Sequence, residues 1–426
     1  MRSPIAPRSC RSTLRATALI GSLLILRTGG HAQSHPFLVD APPFVDLGAN
    51  RIELFGEGTA LDTWHATLDR LLLLGEGQVN VVHIGGSHLQ ADIWSQQVRH
   101  RLQHLVPGVR SGRGLVFPYT LAKTNNPWWY QVEGRGAWSA VRNVTRTDSS
   151  TLGLSGISVT TRDTAATLRL NFRENGYPTQ PFDRVRVLHR MDSSFTVQAW
   201  SPDSTLRIRS RIDTAGRFTE FLFDRQVDTL RLRFVRTDAA QQRFTLHGIL
   251  LGTDDPGMVY HTVGVNGAST SSYLRCQRFT HDLSLIAPDL VIFSVGINDA
   301  HDADFDVARF RRNYAELIDR VRAAAPHAAI LLTTNTDSYF KRKVANRNAH
   351  KVRDAMRQLG AEKNVAVWDV FGVMGGLGSI AQWEAAGLAQ KDRIHLNRQG
   401  YTLLGDLQVA ALMEAYGEHL KRGVRP

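Results

Sequence analysis

A serine and an asparagine, each after an apolar stretch that reads as a buried strand, and an Asp-x-x-His pair near the C-terminus are the residues of this chain best suited to chemistry. They lie in Gly85-Gly86-Ser87-His88, Gly296-Ile297-Asn298-Asp299 and Asp392-Arg393-Ile394-His395. A serine hydroxyl is a weak nucleophile until a base takes its proton. On a tight turn Asp392 can face His395 and fix the ring's orientation and tautomer, which leaves the other ring nitrogen to deprotonate Ser87. The Asn298 side-chain amide can donate to an oxyanion formed on an attacked carbonyl, a contact worth about 3 kcal/mol in a transition state. Gly264-Val265-Asn266-Gly267 adds glycines that let the main chain come close to a substrate. Gly267 N–H is expected to be a second oxyanion donor and Ser87 N–H a third. Together these groups could move an acyl group through a serine ester. Each also has a plainer use: Ser87 as a helix cap, Asn298 in its own turn, Gly264 for a turn alone, and Asp392 and His395 as polar surface.

The elements around these residues must hold them in place. Val79 to Ile84 is short, mostly β-branched and ends at two glycines, which predicts a buried strand running into the Ser87 turn. Ile93, Trp94, Val98, Leu102 and Leu105 then recur at helical spacing. The pattern returns with a strand over 289–295, the Asn298 turn, and a helix marked by Val307, Phe310, Tyr314, Leu317, Ile318 and Val321 that stops at Pro326. A strand over 328–333, a helix over 345–361, a strand over 365–368 and a helix over 399–420 complete the alternation. Alternating strands and helices imply a parallel sheet covered on both faces. Residues 134–254 follow a different rule. Leu168, Leu170 and Phe172, then Leu206 and Ile208, then Leu230, Leu232 and Phe234 alternate with polar residues. Period two in short segments predicts antiparallel strands with one wet face. The expected architecture is a three-layer α/β/α domain of flavodoxin-like type, in parts 33–133 and 255–426, interrupted by an antiparallel β-sandwich over 134–254.

Composition bounds the setting. Arg2, Arg8, Arg11 and Arg15 precede an apolar run, Ala16 to Leu26, too short to span a bilayer. Small residues follow, so residues 1–32 read as an export signal cleaved after Ala32, the alternative being an uncleaved N-terminal anchor. Cleavage removes five arginines and no acids, and the formal charge falls from +12 to +7. A basic exported protein suits polyanionic surroundings such as cell-wall polymer or membrane headgroups; without a nucleic-acid motif, nucleic acid is not an expected partner. The expected location is periplasmic or extracellular, with no stable membrane insertion. Cys10 leaves with the signal, so Cys276 stands alone and no internal disulfide can form.

The four blocks and their order resemble the SGNH hydrolases, also called the GDSL family, at Ser87, Gly267, Asn298 and His395, with Asp392 in the family's Asp-x-x-His. The likeness covers roughly 75–133 and 255–420. It departs at Gly86, where the family's serine block carries Asp, and at His88-Leu89, where it carries Leu. Within the family the chain is similar to bacterial peptidoglycan O-acetylesterases, which have a serine block ending in Ser-His and a carbohydrate-binding-like β-sandwich between the serine and glycine blocks. Lys123-Thr124-Asn125-Asn126-Pro127 and Met374-Gly375-Gly376 add to that likeness. It implies a metal-free, cofactor-free serine esterase that removes O-acetyl groups from an acetylated glycan, foremost peptidoglycan, with Ser87, Asp392 and His395 as catalytic residues. The same machinery would serve an esterase acting on acetylated plant polysaccharide or a lysophospholipid, or an O-acetyltransferase. A secreted glycan-binding protein with a decayed site is the non-enzyme alternative.

The remaining features carry less. His100 and His104 lie four apart but lack a third ligand at a linked spacing, so no metal is expected there. Gly75-Glu76-Gly77 lacks the third glycine of a dinucleotide site. Arg169, Arg207, Arg209, Arg231 and Arg233 fall on the wet side of the expected strands, as a solvated face or a surface for anionic glycan. Trp128, Trp129 and Trp138 could stack on sugars or fill a domain junction.

Overall fold

The computed structural model describes residues 37–105, 112–147, 150–173 and 175–423. The expected export signal therefore lies outside the described residues. Residues Val39–Pro426 form one unit.

Six short strands make the sheet that carries the site, in the order Ile52–Glu53, Ala366–Trp368, Ala329–Thr333, Leu290–Ser294, Gln78–Gly85, Gly257–Gly264. All neighbours run parallel except the first pair. The strands are rich in Val, Ile and Leu, and their side chains are buried on both faces, as a parallel sheet packed against helices requires. Register decides what meets what. Gly85 pairs with Gly264 on one side and Ser294 on the other. The serine, glycine and asparagine blocks each begin just beyond these residues, so the pairing alone brings them to one edge, the carboxyl ends of the strands. In open α/β sheets that edge is where ligands bind.

Two groups of helices pack beside this sheet. Arg398–Gly423 lies against Ile93–Gln103 and Asp62–Leu74, while Val307–Ala324 lies against Asn348–Lys363 and the short helices Thr270–Leu274 and Phe279–Ser284. The Val307–Ala324 helix buries Phe310, Tyr314, Leu317, Ile318 and Val321, the residues whose spacing marks it in the sequence, and Asp306 caps its start by accepting from Arg309 N–H. The helix expected from Ile93 onward is present as Ile93–Gln103, and a separate turn precedes it. A first turn, Ser87–Gln90, ends at Ala91, and Asp92 adopts φ 57° before the longer helix Ile93–Gln103 begins. The break turns the Asp92 carboxylate into the protein, where it pairs with Arg99 and Arg113 and accepts from Ser95 and Thr262. Burial raises the Asp92 pKa, but the two guanidinium groups outweigh it and hold the carboxylate below its ordinary range.

The period-two region folds into two antiparallel sheets. One has the order Ile208–Asp213, Phe218–Val227, Phe182–His189, Phe244–Gly252, Ile157–Thr161, Trp138–Arg142, with Gly114–Val116 also pairing to Phe244–Gly252. The other has the order Tyr130–Arg135, Thr167–Phe172, Thr229–Val235, Thr196–Ala199. Two of these strands, Gly114–Val116 and Tyr130–Arg135, begin before residue 134. Leu168, Leu170, Phe172, Leu230, Leu232 and Phe234 are buried as their alternation predicts. The stretch around 206 behaves otherwise: its strand starts at Ile208, sits at a sheet edge, and exposes Arg209, Ser210 and Arg211 in succession. The five arginines singled out by the alternation also divide between the two sheets. Arg169 reaches Glu133, Arg231 lies over Trp200 and Arg233 bonds to Gln198, so they make no single row.

Candidate active site

The Gln78–Gly85 strand delivers Ser87 to the sheet edge because the two glycines preceding it tolerate close neighbours. A Cβ at Gly85 would stand 2.7 Å from the Leu89 side chain and 3.0 Å from Ser294 O. Gly85 O accepts from the buried Tyr273 hydroxyl at 2.6 Å, which pins the turn from behind. At Gly86 a Cβ would lie 3.1 Å from Asn298 Nδ2. The departure from the family signature at this position thus leaves the Asn298 amide room beside the serine turn.

Ser87 Oγ lies 2.8 Å from His395 Nε2, and His395 Nδ1 lies 2.7 Å from Asp392 Oδ2. The Asp-x-x-His turn is built by the same carboxylate: Asp392 Oδ1 accepts from the main-chain N–H groups of Ile394 and His395 at 2.9 and 3.0 Å. Arg393 takes φ 56° between them and is tied down through its side chain to Glu384 at 2.6 Å. Burial tends to raise the Asp392 pKa, but the His395 ring and the two main-chain donors win, and the carboxylate is held below its ordinary range. An ionised carboxylate can only accept, so Nδ1 carries the ring proton and Nε2 faces Ser87 with its lone pair. That is the tautomer a base at Ser87 needs. Asp392 and His395 are both partly open to solvent.

The other sequence-assigned residues surround this chain of hydrogen bonds. Asn298 Nδ2 donates one hydrogen to Ala268 O at 2.9 Å; the amide has a second to offer. Gly267 adopts φ +83°, a conformation that favours glycine, and neither its main-chain N–H nor that of Ser87 finds an acceptor among the described residues. Gly267, Asn298 and His301 line one cavity of about 670 Å³, bordered by Val144, Arg146 and Arg275. Gly264, for which a turn alone would also be an adequate reason, has a firmer one. A Cβ there would meet Gln90 N at 2.4 Å and Leu89 C at 2.7 Å, both main chain. Gly264→Ala is expected to destabilise the fold by about 3 kcal/mol through overpacking, read as a lower urea midpoint at unchanged slope; an unchanged midpoint would refute the close-packing account.

Sequence reasoning missed several supporting residues. Gln90, buried, accepts from Asn266 N–H at 2.7 Å and donates to Thr124 Oγ1 and to both oxygens of Asn125. It thereby ties the glycine block to the Lys123–Pro127 segment, and Asn266 is the residue before Gly267. A polar residue three places after Ser87, on a turn whose neighbours are buried, was the available signal, because a buried amide must find partners. Gln90→Leu is expected to lower kcat about tenfold with KM little changed, since it loosens the Gly267 segment; equal losses in Tm and no change in kcat would mark Gln90 as structural only. The sequence marks Asp299 only as part of the Gly296–Asp299 motif. It accepts from Thr270 N–H and Oγ1, holding the start of Thr270–Leu274, and burial raises its pKa to about 6. His88 packs its ring 5.1 Å from that of His395 and bonds to the Tyr401 hydroxyl at 2.9 Å. Burial, then the neighbouring His395, pushes its pKa down to about 3, so it stays neutral beside His395.

The aromatic and metal candidates separate cleanly. Trp129 is buried and donates to Asp92 O, whereas Trp128 is 52% exposed, and Arg398 lies 5.7 Å from both rings. Trp138 is half-buried against Phe234. The His100 and His104 rings lie 4.2 Å apart, tilted by 50°, and among the described residues no third ligand joins them. Among the described residues one other group has metal-ligand spacing, Asp62, His65 and His419, and Asp62 is already paired with Arg422. Cys276 is a free, buried thiol whose pKa burial pushes up to about 12. No helix among the described residues is long and apolar enough to cross a membrane.

Residues 237–403 match the GDSL-like lipase/acylhydrolase family. That span contains Gly267, Asn298, Asp392 and His395 and begins after Ser87. A solved peptidoglycan O-acetylesterase is similar in structure, with a TM-score of 0.72 at 19% identity over 86% of this chain and 99% of that one. The uncovered share of this chain is too small to hold the antiparallel sheets, so the likeness of fold extends into them. A lipase/acylhydrolase from Enterococcus faecalis aligns at 23% identity and TM-score 0.30, over 38% of this chain and 77% of its own. A catalytic mutant of an acetylxylan esterase from Geobacillus stearothermophilus aligns at 18% identity and TM-score 0.30, over 38% and 73%. No curated protein sequence matches the chain.

Proposed function

Because this chain belongs to the SGNH/GDSL hydrolases, a family of carboxylic ester hydrolases, we propose that it is a serine esterase removing O-acetyl groups from carbohydrate, with peptidoglycan as the substrate. The observation that carries this reading is the unbroken chain of short contacts from Ser87 through His395 to Asp392 at the carboxyl edge of the sheet. His395 Nε2 takes the Ser87 proton as Oγ attacks the acetyl carbonyl, and Asp392 stabilises the imidazolium. The main-chain N–H groups of Ser87 and Gly267 and the second Asn298 amide hydrogen receive the oxyanion. His395 then protonates the departing sugar oxygen. Water, activated by the same base, attacks the acetyl-enzyme and releases acetate and free Ser87. No step calls on a metal or cofactor.

The substrate assignment draws on the similarity in fold to a peptidoglycan O-acetylesterase over 86% of the chain. In this reading the helices flank the sheet in three flavodoxin-like layers, and the antiparallel sheets are an inserted, carbohydrate-binding-like β-sandwich of about 134–254. The basic leader and apolar run of residues 1–32 support export to the periplasm or beyond. Acetate release from O-acetylated peptidoglycan, measured beside acetylated xylan and with Ser87→Ala as control, tests the assignment. Ser87-dependent release mainly from peptidoglycan is expected. Release mainly from xylan would move the substrate to another polysaccharide, and release from neither would overturn the deacetylase reading.

A further inference from the structure

A second cavity lies on the larger antiparallel sheet, over the adjacent strands Trp138–Arg142, Ile157–Thr161 and Phe244–Gly252. These strands send Val159 and Leu246 into the core. The alternate residues Ser158, Thr160, Thr245 and His247 face the other way and floor a cavity of about 1010 Å³. Its walls hold Arg162, Arg190, Arg217, Arg243 and Arg278 against a single carboxylate, Asp192.

Antiparallel register explains the clustering. Arg162 follows the end of Ile157–Thr161 and Arg243 precedes the start of Phe244–Gly252, where Phe244 pairs with Thr161. Arg190 follows Phe182–His189 and Arg217 precedes Phe218–Val227, where Phe218 pairs with Leu188. Four arginines far apart in sequence are thus delivered to one end of the sheet. Arg278 is neutralised by Asp282, and Arg190 lies 3.6 Å from Asp192. Among the described residues, no ion pair involves Arg162, Arg217 or Arg243, and Arg243 Nε is buried without a partner. Concentrating like charge in a concave, hydroxyl-lined trough opposes folding unless an anionic ligand uses it. The planar forks of arginine suit carboxylates, and the ring of Trp138 offers an edge of apolar surface beside the hydroxyls.

We propose that this trough binds a strand of acidic glycan, one whose carboxylates recur along the sugar chain. The stretch after Trp138–Arg142 links it to the chemistry: Val144 and Arg146 border the cavity that holds Gly267 and Asn298, while Ser150 and Thr151 border the trough. Both cavities are therefore bordered by described residues of the segment that follows Trp138–Arg142. This extends the esterase reading by naming where its polymer is gripped, but binding is measurable without turnover.

The test is calorimetric titration of the Ser87→Ala protein with oligogalacturonate, neutral chito-oligosaccharide and inorganic polyphosphate. Saturable, salt-sensitive binding of oligogalacturonate alone is expected, weakened at least about tenfold by Arg162→Ala/Arg217→Ala/Arg243→Ala, since a hydrogen bond to a charged group contributes about 1.5–3 kcal/mol. The same triple substitution in the otherwise native protein is expected to leave hydrolysis of a small aryl acetate unchanged, which also shows that it folds. No binding of oligogalacturonate, or binding that the triple substitution leaves intact, overturns the proposal. Equal binding of polyphosphate overturns the glycan assignment in favour of unspecific adsorption of polyanions. Failure here leaves Ser87-dependent acetate release untouched, whereas failure of the esterase reading leaves the titration untouched.

Discussion

Ser87→Ala is expected to lower turnover of a small acetate ester by about 10⁶-fold in kcat, with KM nearly unchanged. The size follows from what the hydroxyl does in this arrangement. Removing Oγ leaves His395 with nothing to deprotonate at 2.8 Å and removes the atom that would bond to carbon. The proposed oxyanion donors remain, because Ser87 and Gly267 would contribute main-chain groups and Asn298 is held by Ala268. A residual rate about 10³–10⁴-fold above that of water alone is therefore expected, as in serine hydrolases stripped of their nucleophile. The hydroxyl is half-buried at the end of a strand pinned by Tyr273, and its loss leaves no large cavity, so the variant should unfold at the same urea concentration as the parent. A kcat loss below about tenfold would mean that Ser87 is not the nucleophile and that the acyl group goes elsewhere.

The second large effect separates base from orienting acid. His395→Ala is expected to match Ser87→Ala, and combining the two should cost no more than either alone, because residues that act as one unit are non-additive. Asp392→Asn is expected to cost less, about 10⁴-fold. The reasoning is geometric. Asparagine can keep its oxygen toward the main-chain N–H groups of Ile394 and His395, so the turn survives. Its NH₂ then faces His395 Nδ1, two donors meet, and the ring takes the wrong tautomer, with its proton toward Ser87. The base is still present but mostly in the wrong form. Steady-state kinetics on all three variants and the Ser87/His395 double variant give the ordering. Asp392→Asn losses equal to or greater than those of His395→Ala would contradict the assigned division of labour.

Much of this was legible from local pattern because the deciding forces are local. The strand ending at Gly85, the Val307–Ala324 helix and the Asp-x-x-His turn each follow from side-chain periodicity or from hydrogen bonds within three residues. The meeting of Ser87, Gly267 and Asn298 was legible less directly: the motifs suggested it, and the register of Gly85 against Gly264 and Ser294 explains it. What stayed hidden depends on contacts between distant segments. Gln90 looks like any helical glutamine until it meets Asn266, and the break at Asp92 makes sense only once Arg99, Arg113 and Thr262 surround the carboxylate. The arginine trough was hidden for the same reason. Period-two reading finds arginines within one strand, such as Arg207 and Arg209, whereas Arg162, Arg190, Arg217 and Arg243 sit at strand ends and are gathered by antiparallel pairing. Strand order in the antiparallel sheets has no local signature, so the recruitment of Gly114–Val116 by Phe244–Gly252 could not be read from either segment alone.

The central claim is that acetyl passes through Ser87 Oγ, and trapping the intermediate tests it most directly. The protein is mixed with an activated aryl acetate, quenched in acid within the first turnover, digested, and mapped by mass spectrometry, with Ser87→Ala and His395→Ala run in parallel. One acetyl group on the peptide containing Ser87, absent from both variants, is the predicted result. Acetylation at another residue that accounts for turnover, or full turnover by Ser87→Ala, would contradict it.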